Sequence, residues 1–247
     1  MMLTTVAEEA ILKWLFENDD ATGANELFDA GTNMYVSLHT QYAADNINQS
    51  ANEVEIPPGG AGGTYVNYAR VPMTRGTAKW TVASSNATND DAATFAAAGT
   101  GTTGTATVTH FGIGTDATGV GNLIVSLPIA ATGAAFKHAF VDGGGATHTV
   151  TCYAHGYVEN DPVLCYPLLD ASLTGLTPGG PQTNTCYRVG TVAADTFRLY
   201  TAAGTPPTGA ANITGKGAFL IIKANPITIT TGVTPTFAIN AINYALH

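Results

Sequence analysis

Apolar residues near the start of the chain recur with the period of an α-helix. Between residues 4 and 17, one predicted helical face carries Ala7, Ala10, Ile11, Trp14 and Leu15, and Leu12 and Phe16 widen it. An amphipathic helix of this kind packs on the protein's own sheet or docks on a partner. Ile11, Trp14 and Leu15 are therefore the candidate residues for docking a partner.

Most of the following chain alternates between apolar and polar residues, a period that is typical of β-strands. Residues 34–40, MYVSLHT, are a clear example, because every second side chain is apolar and points the same way. Similar short strands recur to the end of the chain, where TFAINAINYAL alternates as a terminal strand. The pattern predicts a mainly β protein.

A glycine-rich turn separates two apolar strands in residues 109–129, THFGIGTDATGVGNLIVSLPI. Asp116 and Gly119 suit this turn, because an aspartate can hydrogen-bond its own backbone and glycine tolerates positive φ. The first strand contains His110, and His39 holds the matching place in the earlier strand. We therefore expect a β-hairpin, with two histidines that could pair across a sheet.

A change in composition at residues 142–146, DGGGA, divides the chain. The short strands after it are spaced by roughly ten residues, which is typical of a small antiparallel barrel or sandwich. We predict an antiparallel β-sandwich-like host domain with one N-terminal α-helix at residues 1–141 and 225–247. A small β-barrel module at residues 142–224 is inserted into it.

The charge of the chain limits the classes of molecule that it is expected to bind. Charged residues make up only 11% of the chain and its net charge is −9, whereas soluble domains usually contain roughly 25% charged residues. Such chains suit extracellular or particle-bound β proteins, whose neighbours cover part of the surface. The nine Lys and Arg residues are scattered singly, so we expect no nucleic-acid partner.

No apolar run approaches the roughly 18 residues of a membrane-spanning helix, so we expect no membrane partner. The first residues lack a basic leader and contain Glu8 and Glu9. This predicts the absence of a signal peptide and folding in a cytoplasm.

Three cysteines, an odd number, argue against a disulfide framework. Cys152 and His155 have a C-x-x-H spacing, and Cys165 with Cys186 could complete a zinc site. The second pair lacks the usual close spacing and all three cysteines lie in predicted strands. Buried free thiols are the favoured interpretation, and zinc stays the alternative.

No motif predicts catalysis or cofactor binding. GTGTTG at residues 99–104 fits a dinucleotide fingerprint only in its letters, because a strand rather than a helix follows. His110 with Asp116 lacks a nucleophile on a suitable turn, and no carboxylate pair is favoured for glycoside hydrolysis. We expect a non-enzymatic protein with no catalytic, cofactor-binding or metal-binding residues.

Tyrosines in the second part of the chain raise the question of ligand binding. NTCYRV and FRLYTAA alternate aromatic with polar residues, and aromatic rims of this kind can stack on sugars. Tyr187 and Tyr200 are the candidate ligand-facing aromatics, although tyrosine also fills ordinary sheets.

The order of motifs resembles a family of bacteriophage virion proteins that are often labelled tail-fibre or tail proteins. The matching motifs are EEAILKWLF, MYVSLHT, GGTYVNYARVP, THFGIGTDATGVGNL and GVTPTFAIN. This chain has GVGNL where the family usually has GGNL, and it carries the insertion at 142–224. The insertion is similar to a small β module of phage tail and capsid-associated proteins, through HGY, NDPV, LTGLTPGG, CYRV and DTFRLYTA.

The resemblance implies a structural protein of the virion, assembled in the host cytoplasm, that binds major capsid or tail proteins. By analogy it implies a homo-oligomer, a trimer. The absence of heptads and G-x-y repeats favours a compact capsid decoration (cement) or tail-associated role. The alternative is a receptor-binding tail-fibre module that recognises a host surface glycan.

Overall fold

The computed structural model describes residues 5–17, 33–40, 55, 65–102, 106–119, 121–141, 149–167, 186–202, 204, 207–210 and 217–245. Within them the chain forms an α-helix, a short π-helix and 18 strands. Among these residues, no helix is long and apolar enough to cross a membrane.

The helical segment consists of α1, Thr5–Leu12, and a π-helix, Lys13–Glu17. Part of its apolar face packs on the protein's own strands, since the Phe16 ring lies 4.6 Å from that of Trp80 and Leu15 is buried. Ile11 is 39% exposed, so its docking role stays a prediction, and the side chain of Trp14 lies outside the described residues. The Arg75 Nε donates to the Leu15 carbonyl at 2.7 Å. Leu15 is therefore not available to dock a partner.

Eleven strands, counted among the described residues, form what we call the host unit together with the helix. In chain order the first eight are β1 Asn33–His39, β2 Val71–Thr74, β3 Trp80–Ala83, β4 Asn86–Asn89, β5 Ala93–Thr94, β6 Ala106–Val108, β7 His110–Gly114 and β8 Leu123–Pro128. They contribute to several small antiparallel sheets, of which the largest has the order β2-β1-β7-β8. The sheets surround one hydrophobic core that includes Trp80 and Phe95.

Seven strands form the barrel. They are β9 Lys137–Val141, β10 Val150–Thr151, β11 Pro162–Pro167, β12 Tyr187–Gly190, β13 Thr196–Ala202, β14 Thr208–Ala210 and β15 Gly217–Lys223. The order β10-β9-β15-β11-β12-β13 closes on itself because β10 also pairs with β13, and β14 extends from β13. Phe197 and Phe219 fill its interior.

The chain then returns to the host unit. Strands β16 Ile227–Ile229, β17 Thr236–Phe237 and β18 Asn243–Ala245 pair with β6, β5 and β4 respectively. The prediction of a mainly antiparallel β protein with an N-terminal helix and a small barrel is confirmed.

The barrel begins earlier in the sequence than the predicted boundary. Strand β9 precedes residue 142, yet it pairs with β10 and β15. The glycine-rich segment that suggested a boundary follows this first barrel strand. The pairing therefore groups β9 with the barrel rather than with the host domain.

A small apolar cluster connects the barrel to the segment that follows β8. We call it the joint; its members are Ala130, Ala134, Leu164, Tyr166, Cys186, Ile222 and Ala224. Backbone hydrogen bonds reinforce it, since the Ala131 N–H donates to the Lys223 carbonyl at 2.9 Å. The joint packs the segment that follows β8 against the barrel.

Candidate functional site

The two histidines singled out in the sequence face each other across the largest host sheet. In the antiparallel pair β1–β7, His39 lies directly opposite His110. Both side chains are fully buried. The predicted pairing of the two strand histidines is confirmed, and it occurs in the protein interior.

The hydrogen bonds of His110 determine which of its ring nitrogens carries the proton. Thr109 Oγ1 donates to the Thr40 carbonyl at 2.8 Å, so it accepts from His110 Nδ1, also at 2.8 Å. His110 Nε2 is then the acceptor in its 2.5 Å contact with the Tyr166 hydroxyl. A neutral imidazole with its proton on Nδ1 therefore joins the host unit to the joint.

His39 has one ring nitrogen in contact with a serine and one without a partner. Its Nε2 lies 2.8 Å from Ser37 Oγ, whereas its Nδ1 is buried with no hydrogen-bond partner. A Cβ added at Gly112 would lie 2.6 Å from His39 Nε2. Glycine is thus required at this position for the histidine to fit.

Burial holds both imidazoles in the neutral form. Loss of hydration lowers the pKa of His39 to about 4, an effect that Glu55 opposes. Loss of hydration, with a further contribution from His39, lowers the pKa of His110 to about 3. Both imidazoles are therefore uncharged at pH 7.

A second group of buried polar residues holds the hairpin turn. Arg70 donates from Nε and Nη2 to both carboxylate oxygens of Glu55, at 2.8 and 2.7 Å. It also donates to the backbone carbonyls of Asp116 and Gly119, at 2.9 and 2.8 Å. The Tyr68 hydroxyl completes the group by donating to Glu55 Oε1 at 2.7 Å.

We call Glu55, Tyr68 and Arg70 the Arg70 clamp, and its hydrogen bonds to two backbone carbonyls hold the turn of the hairpin. Gly119 has a φ of +75°, which confirms the prediction for that residue. Asp116 accepts from Thr115 Oγ1 at 2.6 Å and lies beyond the end of β7, whereas His110 begins that strand. The structure therefore separates Asp116 from His110, and the two do not form a catalytic pair.

The candidate zinc ligands make other hydrogen bonds or have thiols that burial keeps protonated. His155 Nδ1 accepts from the Tyr157 N–H, and its Nε2 donates to the Ala193 carbonyl, both at 2.9 Å. Burial raises the pKa of the Cys152 and Cys165 thiols, which disfavours the thiolate that binds zinc. Within the described ranges, no three His, Cys, Asp or Glu residues form a metal-binding group.

The two predicted ligand-facing tyrosines differ in exposure. Tyr187 is only 3% exposed and packs in the barrel core, because β12 turns its odd-numbered residues inward. Its predicted ligand-facing role is wrong. Tyr200 is partly buried, and its hydroxyl lies 2.8 Å from Thr191 Oγ1.

Other aromatic residues are exposed on the barrel. Tyr153 is 71% exposed, Phe136 46% and Phe140 39%. The rings of Phe140 and Tyr153 lie 6.3 Å apart at 50°, and those of Phe136 and Tyr166 lie 5.5 Å apart. We call these four residues the aromatic strip. The i, i+4 spacing of Phe136 and Phe140 in FKHAF, which places both on the same side of an extended strand, is the sequence signal that indicates it.

Comparison with known protein families shows which family the chain belongs to. The family model for the podophage GP4 fiber I protein gp80 matches residues 2–135, more than half of the 247 residues. The chain belongs to this family. No curated protein matches it. Membership makes the chain a structural protein of a bacteriophage virion.

The fibre-family match covers the part of the host unit that precedes the barrel, and strands β16 to β18 of the host unit lie beyond it. The match spans the helix and strands β1 to β8, and it ends two residues before β9 begins at Lys137. It thus contains the histidine pair and the Arg70 clamp. All four residues of the aromatic strip lie outside the region that matches the fibre family.

Proposed function

We propose that the protein is a non-enzymatic component of the podophage tail fibre, bound to other tail proteins through its host unit and displaying the barrel outward. The observation that carries the proposal is the extent of the fibre-family match, which covers the helix and strands β1 to β8 and stops before the barrel. A fibre family favours attachment to the tail over the capsid-decoration role considered from the sequence.

Mass spectrometry of separated heads and tails tests this assignment. The proposal predicts peptides of this chain in the tail fraction, in amounts that follow those of the known tail proteins. Their recovery with heads alone would instead support a capsid decoration protein, and would overturn the tail-fibre assignment.

The low content of charged residues, 11%, supports assembly with neighbours that cover part of the surface. We extend the proposal to a homotrimer. Light scattering of the purified full chain then gives a mass of three times 25.3 kDa, about 76 kDa. A mass of one or two chains at micromolar concentration contradicts the trimer.

Burial of the histidine environment supports a role without catalysis. Ser37 and His39 form a hydrogen bond, but both are fully buried, so a substrate has no access to the hydroxyl. His39 Nδ1 also lacks the carboxylate that orients a catalytic histidine. A fluorophosphonate probe should leave the protein unlabelled. Labelling that disappears in Ser37→Ala contradicts this part of the proposal.

Receptor binding by the barrel is a second candidate function, and the aromatic strip is the observation that favours it. Exposed tyrosine and phenylalanine rings offer flat apolar faces to the C–H face of a sugar ring, and Tyr153 adds a hydroxyl. A glycan array with the full chain tests this function.

The matched variants for the array are Phe140→Ala with Tyr153→Ala, and Tyr200→Phe as the control. Receptor binding predicts hits that the double variant loses and the control retains. An array without hits, or hits that survive the double variant, removes this candidate while leaving the tail-fibre assignment intact.

A further inference from the structure

We propose that His39, His110 and Tyr166 form an acid-sensitive latch that holds the barrel against the host unit. The latch goes beyond the proposed structural function, because it concerns how the two parts of one chain are joined. It does not depend on where in the virion the protein sits.

Tyr166 is the barrel's half of the latch. It belongs to β11 and packs in the joint beside Leu164 and Ile222. Its hydroxyl reaches His110 Nε2 of the host unit at 2.5 Å, and the two rings meet edge to face with centroids 5.9 Å apart. One side-chain hydrogen bond thus spans the two units next to their apolar contact.

The direction of this hydrogen bond requires a neutral His110. Its Nδ1 proton is already donated to Thr109 Oγ1, and Nε2 accepts the proton of Tyr166. Protonation would place a second N–H on the ring and reverse the role of Nε2. The Tyr166 hydroxyl, which is partly buried, would then have to turn its proton away from His110, and the new charge would lie on a ring that is fully buried.

The groups around the two imidazoles offset a new positive charge only in part, through Glu55 beside His39. His110 faces His39 from β1 and Tyr166 from β11. Near His39 lie Glu55 and Arg70, whose bidentate ion pair already neutralises the carboxylate. Tyr68 donates to the same carboxylate. Two protonated histidines would therefore repel each other across one strand pair.

The sign of the pH effect follows from the direction of the shifts. Both imidazoles have a pKa below the ordinary value of 6.5 while they are buried. A state in which water reaches them binds protons more strongly, so it gains population as the pH falls from about 6.5 toward 4. Above this range both histidines are neutral in either state, and the latch is closed.

One other ionisable contact near the joint could respond to acid. Lys223 Nζ lies 2.7 Å from Asp161 Oδ1 within the barrel. Protonation of Asp161 would weaken this ion pair. An Asp161→Asn variant therefore separates its contribution from that of the histidines.

Hydrogen exchange of the full chain between pH 7.5 and pH 4 tests the latch, with rates corrected for the intrinsic effect of pH. We expect peptides of the joint, residues 129–134 and 162–167, to lose protection on acidification, while peptides of β12 and β13 stay protected. Unchanged protection of the joint, or simultaneous loss throughout both units, overturns the latch.

The non-titrating variant is His39→Gln with His110→Gln, in which the amides keep hydrogen-bonding groups near the Nε2 positions. It should keep the joint protected at pH 4. The controls His138→Gln, an exposed histidine of β9, and Asp161→Asn should open as the unmodified chain does. An acid response that persists in the double variant, or disappears in Asp161→Asn, overturns the proposal.

Tyr166→Phe provides a test that does not depend on the double variant folding. It keeps the ring in the joint and removes only the hydroxyl. Because a hydrogen bond of this kind changes an equilibrium roughly fivefold, exchange in the joint should rise about fivefold at pH 7.5. No change in the joint would contradict the role of Tyr166.

Discussion

The host unit and the barrel differ in what they present at the surface, although both bury polar residues, among them His155 and Asp161 in the barrel. In the host unit, polar residues such as His39, His110 and Arg70 are buried and bind one another or the backbone. In the barrel, the exposed face carries aromatic residues, with Tyr153 the most exposed of the strip. The difference indicates a host unit built to keep one shape and a barrel built to present a surface.

The comparison of the two units also distinguishes the residues of the family motifs from the residues that present a surface. The residues that make the chain resemble a fibre protein have structural roles, the Arg70 clamp in the interior and the hairpin turn at the surface. The aromatic strip begins at the end of the matched region. Variants that damage one unit and spare the other therefore test the comparison.

The largest effect is expected from Arg70→Ala. It leaves the Glu55 carboxylate without its partner in a largely buried site, and it removes the donors that hold the hairpin turn. Breaking a buried pair in this way costs about 3–5 kcal/mol. Chemical denaturation measures the loss of unfolding free energy.

Lys79→Ala is the matched control for Arg70→Ala, because Lys79 pairs with Asp91 at the exposed surface. Surface pairs contribute about 0–1 kcal/mol. Equal losses for the two variants would show that the Arg70 clamp is not a special element of the host unit.

An intermediate effect is expected from Gly112→Ala. The new methyl group would lie within 2.8 Å of atoms of His39, Ser37 and Leu123. These side chains pack in the interior, so crowding should cost about 1–3 kcal/mol. Thermal and chemical denaturation report the change.

Gly119→Ala separates crowding from backbone strain. Gly119 has a φ of +75° and no atom within 4 Å of an added Cβ, so only the strain of an alanine in this conformation, about 1 kcal/mol, is expected. A Gly112→Ala cost below that of Gly119→Ala would contradict the tight fit around His39.

The smallest effect on stability is expected from Tyr153→Ala. Its side chain is mostly exposed, and surface substitutions usually change stability by less than about 0.5 kcal/mol. Tyr187→Ala in the barrel core should cost about 3–5 kcal/mol, as do other large-to-small core changes. A large loss for Tyr153→Ala would mean that the strip is part of the barrel's own packing.

Local patterns predicted local structure well. Periodicity located the N-terminal helix and the hairpin, and matching strand positions paired His39 with His110. The Arg70 clamp could not be predicted, because Glu55, Arg70 and Asp116 are far apart in the sequence and only the fold brings them together.

Alternation shows that a strand has two faces without showing which face is interior. The prediction for Tyr187 was wrong for this reason, since barrel closure decides that its side of β12 faces inward. The barrel's first strand was assigned to the host domain because β9 precedes the glycine-rich segment. Pairing partners, which composition does not encode, place it correctly.

Cross-linking of intact tails with a lysine-reactive reagent tests most directly the claim that the host unit attaches and the barrel is displayed. Lys13 and Lys79 of the host unit have side chains 39% and 41% exposed, and Lys223 of the barrel is 39% exposed, so their accessibility in the free chain is matched. The account predicts cross-links from Lys13 or Lys79 to other tail proteins and none from Lys223. Cross-links to tail proteins through Lys223 alone would contradict it.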